Sequence, residues 1–285
     1  MRIKKIFIII IIILGLVAVV TWLCGAYENE RLTVTDYVII NKRIPKSFSD
    51  YKILQISDFH NPKSEELVDK TVKAVESCQP DIIVITGDLI DSRDIQINTA
   101  LDFVERIVPV APVYYITGNH EGRISDYQRL KNGLENLGVR VLENECVEIE
   151  KDGEKINLIG LQDPFFKKEE GMGGNRLFSK WIEETKFNRE YYTVLLCHYP
   201  QFNKVFYEQE IDLVLTGHTH GGQIRLPLVG GLYAPGQGLF PKYYGGKYEL
   251  SDVTTMIINR GIGNSAFPFR INNPPEVVMV TLESE

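Results

Sequence analysis

Five short apolar runs, each ending in a polar cluster, constrain this chain more than any other feature. Residues 51–57 run into Asp58 and His60, 81–87 into Asp88, 111–118 into Asn119 and His120, 192–197 into His198, and 212–217 into His218. Each run is β-rich. Residues 67–78, 97–108 and 127–137 carry apolar side chains at helical spacing between the first of them. Strands alternating with helices predict an α/β fold. In such sheets ligands bind outside the carboxyl ends of the strands, so five polar strand ends predict one shared site. Toward the C-terminus the pattern changes. Strand-like runs at 223–226, 254–259 and 276–282 are separated by Gly- and Pro-rich loops, which predicts more antiparallel sheet there.

At 285 residues, one large domain with an appendage is expected, and a core of that size needs no disulfide or structural metal. The four cysteines, Cys24, Cys78, Cys146 and Cys197, include no CxxC pair. That excludes a disulfide framework and a zinc ribbon, and all four read as small buried apolar residues.

The appendage is the run from Ile6 to Ala26, which holds no charge. As a helix it is long enough to cross the roughly 30 Å hydrocarbon core of a bilayer. A cleaved signal peptide has an apolar region of only about 7–15 residues and small residues at its cleavage site. Trp22-Leu23 before Cys24 also does not suit a lipoprotein signal, so an uncleaved anchor is expected. Arg2, Lys4 and Lys5 precede the span, whereas Glu28, Glu30 and Arg31 follow it. Positive charge stays inside, which places the N-terminus in the cytoplasm and the rest of the chain outside. Residues 28–285 then carry 28 Lys+Arg against 38 Asp+Glu, a net charge of −10. Nucleic-acid binding leaves a basic footprint, and this balance argues against it. A lead-in at 28–50 contains an isolated strand at 33–40, and the domain proper occupies 51–285.

The chain has only five histidines, His60, His120, His198, His218 and His220, and all stand at or just past a predicted strand end. A lone histidine is usually a core or surface residue; five at strand ends are not. With Asp58, Asp88 and Asn119 as companions and no cysteine, the donors suit Mn, Fe, Zn or Mg rather than soft ions. Asp58, His60, Asp88, Asn119, His198, His218 and His220 are seven candidates, more than one catalytic metal takes. They fit two ions roughly 3.5–4 Å apart sharing one carboxylate. Gly87, Gly118 and Gly217 are expected to turn the chain sharply from strand into loop.

Asp58-Phe59-His60, Gly87-Asp88-Leu89-Ile90-Asp91, Gly118-Asn119-His120-Glu121, His198 and Gly217-His218-Thr219-His220 resemble, in order, the five blocks of calcineurin-like metallophosphoesterases. The longer run from Gly217 to Ile224, with Pro274-Pro275-Glu276, is similar to the membrane-associated bacterial YkuE-like phosphodiesterase branch. Phe59 replaces the more usual Leu. The resemblance spans about residues 50–285. It implies a four-layer α/β/β/α sandwich behind the transmembrane helix. It implies that Asp58, His60 and His220 hold one metal, that Asn119, His198 and His218 hold the other, and that Asp88 bridges them. The ions, Mn favoured over Fe or Zn, would convert a bridging water to hydroxide. His120 would be the general acid and Asp91 would orient it.

The implied activity is phosphoester hydrolysis at the membrane surface, more readily of a diester than a monoester, on a lipid, cell-wall or nucleotide ester. Protein phosphatase and nuclease are alternatives within the class. A non-catalytic anchored metal protein is the alternative outside it, but such a site would not need His120. Arg93, Arg225, Arg270 and Asn264 are candidates for substrate contact. Residues 164–175, with Lys167 and Lys168, read as either a lid or a surface loop.

Overall fold

A computed structural model describes residues 2–166, 172–264 and 267–285. Each of the five runs becomes a strand one to four residues shorter than its apolar pattern: β2 (Tyr51–Ile56), β3 (Ile82–Thr86), β4 (Val113–Ile116), β8 (Thr193–Leu196) and β9 (Leu213–Thr216). The helices follow as predicted, with α2 (Glu65–Cys78), α3 (Ile97–Ile107) and α4 (Tyr127–Asn136). Ser64 caps α2, its side chain accepting the Leu67 N–H. The remaining elements are α1 (Arg2–Asn29), β1 (Thr33–Asn41), β5 (Arg140–Val141), β6 (Glu145–Lys151), β7 (Glu154–Gly160), α5 (Gly174–Glu184) and α6 (Asn203–Glu208). Four two-residue strands, β10 (Arg225–Leu226), β11 (Gly230–Gly231), β12 (Tyr233–Ala234) and β13 (Gly238–Leu239), make two small hairpins. The chain ends through β14 (Gly246–Glu249), β15 (Thr255–Ile258) and β16 (Glu276–Ser284).

Two six-stranded sheets form, in the orders β1-β16-β2-β3-β4-β5 and β14-β15-β9-β8-β7-β6. Alternation along each strand sorts its side chains into different layers. Ile53 and Val84 face the second sheet, where they meet Leu158, Val194 and Leu215. Leu54 and Ile83 point the other way onto Leu67, Phe103 and Leu130 of the first three domain helices. On the far side, Ile159, Leu195 and Val214 pack against Phe178 and Trp181 of α5 and Phe206 of α6. Three buried clusters between four layers make an α/β/β/α sandwich, as the resemblance implied.

The strand at 33–40 is not isolated. β1 runs parallel to β16 over nine residue pairs and forms the sheet edge. Glu276, in the Pro274-Pro275-Glu276 run, is buried and pairs with Arg260 at 2.7 Å. The late strands mix directions, β14 antiparallel to β15 but β15 parallel to β9. Lys167 and Lys168 of the expected lid or loop lie outside the described residues. Beyond them Met172 packs on the α5 side of the core. Cys197 is buried, Cys78 and Cys146 are half-buried, and Cys24 is exposed on α1.

α1 is apolar on every side, with the described side chains of its apolar run largely exposed. At 28 residues it is about 40 Å long.

Candidate metal centre

The loops after β2, β3, β4, β8 and β9 meet at one edge where the two sheets face each other. Two donor groups gather there, Asp58–His60–His220 and Asp88–His198–His218, each with its ligand atoms within 4.8 Å of one another and every residue buried. A third group, His60–Asp91–His120, shares His60 with the first. Asp88 sits between them. Its Oδ2 is 3.2 Å from His198 Nε2, 3.6 Å from His60 Nε2 and 4.0 Å from His120 Nε2.

Backbone carbonyls set the imidazole tautomers. His198 Nδ1–H donates to Thr86 O at 2.8 Å and His60 Nδ1–H to Ile90 O at 3.2 Å, which in the neutral rings leaves both Nε2 lone pairs facing inward. His60 Nε2 then confronts His220 Nε2 at 3.3 Å, and His198 Nε2 confronts His218 Nδ1 at 3.2 Å. Asn119 Oδ1 is buried with no hydrogen-bond partner. Converging lone pairs and an orphaned carbonyl oxygen are costly unless a cation satisfies them, so the residues present fit a pair of metal ions.

Burial dominates the protonation of the cluster. It holds His60 down at about 4 and His218 at about 3, and drives His220 well below the usual histidine range. It also pushes the Asp58 carboxyl up to about 6 against the pull of His198. Burial works against a charge on His198 as well, but the Asp88 and Asp58 carboxylates raise it to about 10. That proton must leave before His198 can ligate a metal.

Five of the seven candidate ligands, Asp58, His60, Asp88, His218 and His220, have left-handed backbone, with φ between 48° and 70°. Such strain costs of order 1–3 kcal/mol per residue and concentrates at functional sites. The glycines work differently from the turn-forming role expected of all three. Gly87 has φ of 89°. Gly118 and Gly217 do not have positive φ and supply room instead. A Cβ on Gly118 would strike Asp88 Oδ1, and one on Gly217 would strike Ser57 Oγ and Asp58 Oδ2.

Two residues that hold these loops escaped the site prediction. Glu121 is fully buried and accepts the backbone N–H groups of Asp88, Ile90 and Gly118 at 3.0, 3.2 and 2.7 Å. Burial and the nearby Asp88 raise its carboxyl to about 7. It lies inside the Gly118–Glu121 block, which was the available signal. Asn273 donates to His220 O at 2.7 Å, and no sequence signal marks it.

His120 Nδ1 accepts the Ser92 N–H at 2.9 Å, and Asp91 Oδ1 stands 3.3 Å from the same nitrogen. Arg93 pins that carboxylate, its Nε and Nη2 donating at 2.9 and 2.7 Å. The Arg93 guanidinium is therefore engaged in fixing Asp91. Arg270 is a plainer correction. It is fully buried, donates to the carbonyls of Gly263 and Arg260, and burial lowers it to about 10. Its role is to hold the 260–264 loop. Arg225 lies over the Tyr244 ring at 5.3 Å. Of the four substrate candidates only Asn264 lines the 410 Å³ cavity that opens beside His60 and Asp91.

The family model of calcineurin-like phosphoesterases matches residues 51–222, which contain all seven candidate ligands. The chain belongs to this family. An uncharacterized metallophosphoesterase of Aquifex aeolicus is 32% identical over 269 residues, covering 92% of this chain and 97% of the relative. The uncharacterized metallophosphoesterase YkuE of Bacillus subtilis is 30% identical over 262 residues, covering 90% and 87%. A Bos taurus transmembrane protein with metallophosphoesterase domain is 28% identical, covering 93% of this chain and 60% of its own length. A metallophosphoesterase hydrolyses phosphoric esters, and the two buried donor groups are the dinuclear-type cluster such chemistry uses.

Proposed function

We propose that this metallophosphoesterase is a phosphodiesterase anchored by α1, with its domain on the extracytoplasmic side, and that Mn is its favoured metal. The observation that carries the reading is the meeting of two buried His/Asp groups at Asp88, with His120 beside them and not required as a ligand. Asp58, His60 and His220 would hold one ion, Asn119, His198 and His218 the other, and Asp88 both. Such a pair supplies Lewis acidity toward a water and toward the phosphoryl oxygens.

The protein's own contribution is orientation and proton delivery. The Thr86 and Ile90 carbonyls fix the ligand imidazoles, and Glu121 holds the Asp88 and Gly118 backbones. His120 Nδ1 faces the Ser92 N–H and hydroxyl on one side and Asp91 Oδ1 on the other. The neutral ring takes the Ser92 N–H, and the protonated ring turns Nδ1–H to Asp91 Oδ1. The protonated form, backed by Asp91, passes its Nε2 proton to the leaving oxygen as the phosphorus–oxygen bond breaks. Exposed apolar side chains along α1, with three positive charges before its apolar run from Ile6 to Ala26 and none within that run, favour the anchor and its orientation.

The test uses the full chain in detergent with Mn²⁺ on bis-p-nitrophenyl phosphate and p-nitrophenyl phosphate. Higher kcat/KM on the diester is expected, with activity abolished by chelator and restored by Mn²⁺. Preference for the monoester would make the protein a phosphomonoesterase. Chelator-resistant hydrolysis would remove the metal from the mechanism.

A further inference from the structure

The cavity beside the metal centre has an unusual wall. His60 and Asp91 form one side, and Asn29 and Glu30, where α1 ends, form another. The join is fixed by several contacts. Asn29 Nδ2 donates to Pro268 O at 2.8 Å, and its Oδ1 accepts the Arg270 N–H at 3.1 Å. Ser64 Oγ donates to Glu30 Oε2 at 2.6 Å, and Lys70 Nζ to Glu30 O at 2.9 Å. Gly25 packs so closely on Phe269 that a Cβ there would lie 3.1 Å from its ring. The apolar run ends at Ala26, three residues before Asn29, about 5 Å along a helix axis. The cavity therefore opens within about one helical turn of the bilayer boundary.

Neighbouring surface is apolar too. Phe267 is exposed and its ring meets that of Phe269 at 5.9 Å. The Arg225 N–H donates to Ile271 O, lacing the β10–β11 hairpin to the same loop, and Leu228 and Val229 stand exposed at its tip. Exposed apolar side chains beside a membrane helix mark a surface that meets lipid.

Inside the cavity two polar groups lack partners. Asn61, 8% exposed and strained at φ 45°, has an Oδ1 with no hydrogen bond. Lys63 is exposed and has no ion-pair partner among the described residues.

We infer that the site takes a phosphoester carried by a membrane lipid. Its acyl chains stay in the bilayer beside α1, its headgroup fills the cavity, and its phosphoryl group reaches the metal centre. This rests on the phosphoesterase reading and adds the substrate class. A soluble phosphoester gains nothing from a cavity fixed to the membrane boundary, whereas a lipid headgroup is presented at that height. Lys63 complements an anionic phosphoester, and Asn61 Oδ1 accepts from a headgroup hydroxyl or ammonium. Hydrolysis forms one bond from water oxygen to phosphorus, breaks the bond to the leaving alcohol and protonates that alcohol. The apolar fragment remains in the membrane.

The test reconstitutes the full chain with Mn²⁺ in phosphatidylcholine vesicles carrying phosphatidylglycerol or phosphatidic acid, with soluble bis-p-nitrophenyl phosphate assayed alongside. Lipid turnover should follow the lipid's mole fraction in the vesicle, and the lipid should compete with the soluble ester far better than its deacylated headgroup does. Phe267→Asp combined with Leu228→Asp should retain the soluble-ester rate and lose about tenfold or more on vesicle lipid, the value of two apolar side chains withdrawn from a membrane. If the soluble ester is hydrolysed but neither lipid is cleaved or competes better than its headgroup, the lipid inference falls and the phosphoesterase reading stands. If a chain holding two Mn²⁺ ions hydrolyses no ester, both fall.

Discussion

Asp88→Asn is expected to lower kcat/KM on bis-p-nitrophenyl phosphate by about a thousandfold or more, the scale on which a charge-stabilising centre contributes to a transition state. Asp88 lies within 3.2–4.0 Å of three inward-facing imidazole nitrogens, and its Oδ1 also accepts the His120 N–H at 2.8 Å. Asparagine keeps the shape and that backbone contact while removing the negative charge that the two proposed ions would share. Metal content should fall with activity, measured by atomic emission on the purified chain. Burial works against the charge on Asp88, yet His198 and His60 hold its carboxyl well below the usual carboxylate range. A variant retaining two ions and wild-type turnover would mean that Asp88 bridges nothing.

His120→Ala is expected to separate the two functions. Turnover should fall by about 10²- to 10⁴-fold, the usual contribution of a general acid, while both ions remain. The loss should be larger on an alkyl phosphodiester than on a p-nitrophenyl one, because the alkoxide needs a proton to leave and the nitrophenolate does not. His120 is buried, and burial lowers its pKa despite Asp88 and Asp91. The Asp88 and Asp91 carboxylates oppose that shift and favour the protonated ring. Equal losses on both leaving groups would remove His120 as proton donor. Loss of metal with activity would make it a ligand.

The α/β character was legible because the core strands are short, nearly continuous apolar runs whose ends change abruptly to polar, whereas the four layers were implied only by the family resemblance. Strand ends fell one or two residues inside the apolar runs, since the last residues already turn into the ligand loops. β6 and β7 went unread. Glu145–Lys151 alternates charged with apolar residues at a sheet edge, a pattern easily taken for a surface loop. The convergence of the candidate ligands was legible because histidine is scarce here and a metal needs specific donor atoms at strand ends. Arginine gave no such guide. Arg270 and Arg93 have the same chemistry in sequence, yet one is sealed among backbone carbonyls and the other is clamped to Asp91 two residues away. Only tertiary structure separates an arginine that recognises phosphate from one that holds a loop. The docking of Asn29 on Pro268 and Arg270 was equally invisible, because it joins residues 239 and 241 positions apart.

Electron paramagnetic resonance of the full chain titrated with Mn²⁺ tests the dinuclear centre most directly, independently of any substrate. Two ions held about 3.5–4 Å apart by a shared carboxylate should give an exchange-coupled signal that saturates at two equivalents and disappears in Asp88→Asn. An isolated-ion spectrum saturating at one equivalent would contradict the assignment of seven ligands to two metals.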